Sequence, residues 1–269
     1  IKTCASAEFF HQALIRLARH GVGEYWRAAR LSWRFFGWQS ARYLRHADIF
    51  HVRSGAGQGG AIKAARRRGM RVLVDHSIAH PCFMEQHLKD EYHRNGQEFG
   101  FSPDNPFWQL VLKDCEEADL LLVNSVFVKD TFVQAGYPVD RIRVVYLGVR
   151  PDFFNLKTDY TNHVLRQSER PLRLLFTGGF GFRKGAEYLL AALFILRQRG
   201  LNVVLTVVGN HEEARSLLSN HASVLPYVEL VGHVPQDDLK KYLAEADLYV
   251  FPSLAEGCAS SGMEAMAAG

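Results

Sequence analysis

A chain of 269 residues, 48% hydrophobic and 22% charged, is longer than one typical domain and has the composition of a folded globular protein. No apolar run approaches the roughly 18 residues of a membrane-spanning helix, and a formal charge of +4 falls short of a nucleic-acid binder's basic balance. Disorder, a helical membrane span and nucleic acid as a partner are therefore set aside.

Helical and strand periods alternate along the chain. Residues 7–20 and 24–46 suit amphipathic helices, and 48–52 reads as a short buried strand. Gly55, Gly57, Gly59 and Gly60 make a turn, a helix over 61–68 ends at Gly69, and 72–74 is the next strand, followed directly by His76 and Ser77. Residues 81–93 and 107–117 read as helices on either side of a turn-rich loop, and 120–123 as a strand. Ser125 caps a helix that Gly136 stops, and 143–146 is one more strand. Residues 151–171 are polar and irregular and hold the boundary, giving a first domain 1–155, a linker 156–171 and a second domain 172–269. There the strands are 172–177, 203–208, 228–231 and 248–251, and the helices are 184–199, 212–219 and 236–244. Such alternation predicts an α/β protein of two Rossmann-like, doubly wound domains.

Two stretches carry chemistry. Thr177 to Gly185 reads TGGFGFRKG at a strand end and helix start. There glycines admit a phosphate to the backbone, helix N–H groups face it, and Arg183 and Lys184 add charge. Taken alone, the same run is a tight connection with solvated basic residues. The second stretch places Glu256 just after a strand and Glu264 eight positions later, at the predicted start of a helix, with the small residues Gly257, Ala259, Ser260 and Ser261 between them. A carboxylate there can chelate the two adjacent hydroxyls of a ribose, while bare N–H groups serve a diphosphate. The plainer account is one helix-capping acid and one surface acid.

With these stretches, and with Val207-Val208-Gly209, Ala118 to Ser125 and Ile142 to Val149, the chain resembles the retaining glycosyltransferases of family 4, whose two-Rossmann architecture is called GT-B. The resemblance spans residues 48–269. It implies that Lys184 contacts the donor diphosphate, Glu264 clamps the ribose and Glu256 contacts the transferred sugar, with Gly178, Gly179, Gly209, Gly257, Ala259, Ser260 and Ser261 lining the donor. The family usually has an arginine where this chain has Gly179. Either Arg183 substitutes for it or the site is weakened. The family's functional histidine maps to His80, ahead of Pro81, with His76 second; a hydrogen-bonded structural histidine is the alternative for each.

The implied activity is a hexosyltransferase reaction with retention, from a UDP- or GDP-linked sugar to a glycan, lipid-linked or small-molecule acceptor, with no cofactor and no metal. Rival readings are a sugar phosphorylase, a nucleotide-sugar epimerase and a non-catalytic nucleotide- or glycan-binding module. The resemblance also implies a chain truncated at both ends.

The four cysteines, Cys4, Cys82, Cys115 and Cys258, form no Cys-x-x-Cys pair, which argues against zinc and a disulfide framework and for thiols in a reducing cytoplasm. The first residues show no secretory pattern. From Glu24 to Trp38, arginines interleave with large aromatics. That pattern fits a core-facing stripe with a solvated basic face. It also fits a helix lying on an anionic membrane, which would put the protein at the inner face of the membrane.

Overall fold

A strand with apolar side chains on both faces is stable only between two layers, so runs such as VLV at 72–74 and VVLTVV at 203–208 call for helices above and below a parallel sheet. The computed structural model describes residues 4–20, 24–157 and 170–269, and its contacts divide the chain into two units, Ile1–Tyr146 and Leu147–Gly269. Each is built on one four-stranded parallel sheet.

The first unit opens with α1 (Ala5–Arg19) and α2 (Tyr25–Ala41). Its sheet runs β1 (Ile49–Arg53), β2 (Arg71–His76), β3 (Leu120–Val123) and β4 (Ile142–Val144), in that spatial order. The connections carry α3 (Ala61–Arg67), α4 (Pro81–Arg94), α5 (Pro106–Glu116) and α6 (Val126–Gln134). Val72, Val74, Leu121 and Val123 of the sheet form a core with Val128 and Phe132 of α6. Capping is local. Ser125 Oγ accepts the Val128 N–H at 3.1 Å, and Pro81 and Pro106 occupy first helical turns, where a missing N–H costs nothing.

The second unit contains β5 (Leu172–Thr177), α7 (Ala186–Gln198), β6 (Val203–Val208), α8 (Arg215–Asn220), β7 (Val228–Gly232), α9 (Gln236–Glu245), β8 (Leu248–Tyr249) and α10 (Ser260–Ala268). Its strand order is β7-β6-β5-β8.

Several boundaries differ from the sequence reading. β2 continues through His76, so that histidine ends a strand rather than following one. β4 is one residue earlier at its start and ends at Val144. The strand expected over 248–251 stops at Tyr249, and the helix expected from Lys184 starts at Ala186, because Gly185 adopts φ 80° and breaks the turn before it. Glu264 lies in the second turn of α10 and not at its start. Residues 147–157 pack in the second unit: Phe153 is fully buried with Leu175, Val208 and Leu243, and Asn155 and Lys157 donate N–H bonds to Ala267 and Ala268. Most of the expected linker, residues 158–169, lies outside the described residues.

Candidate active site

From β5 the chain winds outward through β6 to β7, then crosses back to place β8 on the other side of β5. The order reverses between β5 and β8. At such a reversal the loops leaving the strand ends diverge and open a crevice, where α/β sheets bind their ligands. Both sequence stretches with chemistry leave these two strands, residues 178–185 after β5 and 250–259 after β8.

Close backbone approach fixes the glycines. The Gly178 N–H bonds Val208 O at 2.9 Å, and Gly209 lies so near that a Cβ on it would sit 2.1 Å from Gly178 O. Gly185, in the left-handed region, would place a Cβ 2.1 Å from Pro252 O. Gly178 has φ 117°, yet a Cβ there or on Gly179 would meet no atom within 4 Å. The turn is therefore tight behind and open in front, as a phosphate cradle requires.

The two loops are joined by charge. Arg183 Nη1 donates to Glu256 Oε1 at 2.9 Å and to Ala255 O at 2.8 Å, and the Lys184 ammonium pairs with the same Glu256 oxygen. Ser253 Oγ donates to Glu256 at 3.0 Å, and the Leu254 N–H bonds Arg183 O at 2.9 Å. Lys184 Nζ also stands 5.4 Å from the Phe251 ring centroid. All three charged side chains are partly buried, so solvent screens them less than it screens surface pairs.

Glu264 is apart from this cluster. Its partner is Gln236, whose Nε2 donates to Oε1 at 3.1 Å. The α10 terminus that carries Ser260 and Ser261 has Ala259 as its N-cap, with no side chain capping it, which leaves N–H groups for an anion. Gly257 is half-buried in the preceding loop. The sequence reading missed Tyr249. Its hydroxyl lies 3.0 Å from Thr177 Oγ1 and ties the ends of β5 and β8, and burial raises its pKa. A tyrosine in the apolar run LYVF carries no signal of a partner 72 positions away.

The two histidines belong to the first unit. His76 ends β2 at 2% exposure, with Nδ1 2.8 Å from Ser54 Oγ and Nε2 buried without a hydrogen-bond partner among the described residues. His80 is 4% exposed and caps α4, its Nδ1 accepting the Cys82 N–H at 3.2 Å. Both rings pack edge-on against Phe132, each with centroids 4.9 Å apart. Burial lowers the pKa of His76 to about 3 and that of His80 to about 4. Nearby, Asp114 accepts N–H bonds from Gly55 at 2.7 Å and Gly57 at 2.8 Å and holds the glycine turn after β1; burial raises its pKa to about 6.

A pH dependence follows. The unfolded chain protonates the histidines first, near their ordinary value of 6.5, so the stability their neutral burial supplies is full above that pH and is lost as pH falls toward 3. Asp114 acts in the opposite sense, with its contribution present below 3.8 and lost as pH rises through about 6. Two rings outweigh one carboxyl. The thermal midpoint is expected to fall between pH 6.5 and 4, and His76→Asn to flatten that slope; a midpoint constant across the window would contradict the assignment.

Comparison with known proteins places this geometry. The family model described as Glycosyl transferases group 1 matches residues 171–269, and that described as Glycosyltransferase Family 4 matches residues 3–153. The amylovoran biosynthesis glycosyltransferase AmsK of Erwinia amylovora is 30% identical over 238 residues, covering 83% of this chain and 52% of that protein. The uncharacterized glycosyltransferase MJ1607 of Methanocaldococcus jannaschii is 28% identical over 165 residues, 59% of this chain and 42% of its own length. The chain thus spans about half the length of these curated relatives. Among solved structures, apo OtsA superposes with a TM-score of 0.63 at 15% identity, over 96% of this chain and 63% of that one. Anabaena HepE, solved with UDP and glucose, gives 0.59 at 15% identity, over 86% and 60%. Those likenesses show the GT-B fold. With a family model covering each unit, the chain belongs to Glycosyltransferase Family 4.

Proposed function

We propose that the chain binds a nucleoside-diphosphate sugar at the β5/β8 reversal and transfers its sugar, with retention at the anomeric carbon, to a glycan, lipid-linked or small-molecule acceptor. The observation that carries this reading is the meeting of Arg183 and Lys184, from the loop after β5, with Glu256, from the loop after β8. A departing diphosphate develops negative charge as the sugar becomes oxocarbenium-like. Two cations held beforehand, with the open Gly178-Gly179 backbone and the uncapped α10 terminus, stabilise that charge without a metal ion. In this reading Glu256 serves as a stand-in anion that keeps both cations aimed at the phosphate position and turns to the transferred sugar when the donor enters. Glu264 chelates the ribose, and the strand ends at Gly209 and Gly232 line the base. The donor is UDP-linked, in keeping with the UDP bound in the HepE structure.

The carboxylates separate the steps. Glu264→Ala is expected to weaken UDP binding about 10- to 100-fold by calorimetry, because a ribose clamp acts in ground and transition states alike. Glu256→Ala should leave UDP affinity unchanged or raised, since it frees two cations, while turnover of the donor falls. Equal, negligible effects of both changes on affinity and transfer would remove the reading. A second reading, a donor-binding module without transfer, is favoured by Gly179 in place of the family's arginine. It predicts UDP binding with no consumption of any nucleotide sugar.

A further inference from the structure

The first 46 residues carry eight Lys and Arg against two Glu, a balance of +6, so the rest of the chain is at −2 and the whole net charge of +4 comes from this one end. These residues build α1 and α2, a helical hairpin in which the start of α1 meets the end of α2. Gln39 Nε2 donates to Ser6, His11 Nδ1 lies 2.8 Å from Ser32 Oγ, and Ile15 packs on Ala28 and Ala29.

The inner face of α2 is committed to the first unit. Trp26 and Trp33 pack on Phe107 with centroids 6.0 and 5.9 Å apart, and Gly37 is pressed so close to the glycine turn that a Cβ would meet Gln58 O at 1.7 Å. Among the described residues the opposite face has no such cover. Arg27, Leu31, Arg34, Trp38 and Arg42 recur at three- and four-residue intervals and share one side of the helix. Leu31 is 54% exposed and Trp38 46%. From α1, Phe10 packs on Phe35 at 4.8 Å, Phe35 stacks on Trp38 at 5.5 Å, and the Arg42 guanidinium lies 3.7 Å above the Trp38 ring. Phe9, at 78% exposed, and Leu17 extend the apolar surface along α1. The segment from Glu24 onward therefore has a core stripe on one side and a basic, aromatic surface on the other.

We infer that this outer face docks on a bilayer rich in anionic lipid. Four exposed arginines, Arg16, Arg27, Arg34 and the C-cap Arg42, stand on the two helices among apolar side chains that are open to water. Arginine stems lie along apolar surface while their heads reach phosphate, and tryptophan favours the headgroup level. The intercalation of Arg with Leu, Phe and Trp on a ridge of two helices matches a broad anionic plane with an apolar interior. No helix among the described residues is long and apolar enough to cross that plane, so the hairpin would lie on it. The inference is independent of the donor site and survives the failure of that reading.

The test uses the full chain and vesicles of pure phosphatidylcholine or of phosphatidylcholine mixed with phosphatidylglycerol. Flotation at low salt should recover the protein with the anionic vesicles, at least about tenfold more strongly than with the zwitterionic ones, and high salt should release it. Two double variants, Leu31→Ser with Trp38→Ser and Arg27→Glu with Arg34→Glu, should each weaken binding about tenfold or more while circular dichroism and UDP affinity stay unchanged. All four side chains are exposed, and the contacts they make, Trp38 with Phe35 and Arg42 and Arg27 with Glu24, lie at the surface. Absence of binding to anionic vesicles at low salt, or undiminished binding by both variants, would overturn the inference. So would a dimer in sedimentation velocity that the Leu31→Ser, Trp38→Ser variant dissolves, since that would make a second copy the occupant.

Discussion

The double variant Arg183→Ala, Lys184→Ala is expected to lose nucleoside-diphosphate affinity by roughly 100- to 10,000-fold. Each charge-assisted hydrogen bond to a phosphate is worth about 1.5 to 3 kcal/mol, and both cations are removed together. The loss is compounded because Glu256, now without either partner, directs its own negative charge at the phosphate position. Calorimetry with UDP measures the effect, and unaltered affinity would reduce the TGGFGFRKG turn to a structural connection. A converse change probes the same field. Gly179 has open space where a Cβ would stand, so Gly179→Arg is expected to be tolerated and to raise UDP affinity about tenfold. A drop in affinity instead would mean that Arg183 already occupies the phosphate position.

Gly185→Ala is the change expected to cost most in stability, about 3 kcal/mol or more in the second unit. At φ 80° an alanine is strained, and its Cβ would lie 2.1 Å from Pro252 O and 2.7 Å from Pro252 C, backbone atoms that cannot rotate away. Relief requires parting the loops after β5 and β8, which also breaks the Leu254 N–H to Arg183 O bond and separates Lys184 from Glu256. Gly178→Ala is the control. It is strained at φ 117° but meets nothing within 4 Å, so only the backbone term of about 1 to 2 kcal/mol remains. Denaturant midpoints of the two variants decide the matter. Equal destabilisation would show that close approach to Pro252 is not what requires the glycine.

How far the site could be read in advance depended on how local its determinants are. The glycine turn, Lys184 and the spacing of Glu256 and Glu264 are contiguous patterns, and they stand out because φ at a glycine, a helix cap or a strand end is fixed by residues a few positions away. Ser125 capping α6 and the proline opening of α4 were legible for that reason. Element ends were less so. His76 reads as a residue after a strand, yet ladder bonds to β3 carry β2 through it.

By itself, then, the sequence determined the alternation of strand and helix, the α/β class and the local conformation of the donor turn, since sterics and apolar periodicity act over a few residues. Tertiary structure alone decided that β8 lies beside β5. That choice brings Arg183 to Glu256 across 73 positions and Tyr249 to Thr177 across 72. In the first unit, the packing of Trp26 and Trp33 on Phe107 separates the buried side of α2 from its arginine-rich outer face. Such pairings depend on strand order and on how whole helices pack, which are sums over the entire chain, and no short window of residues contains them.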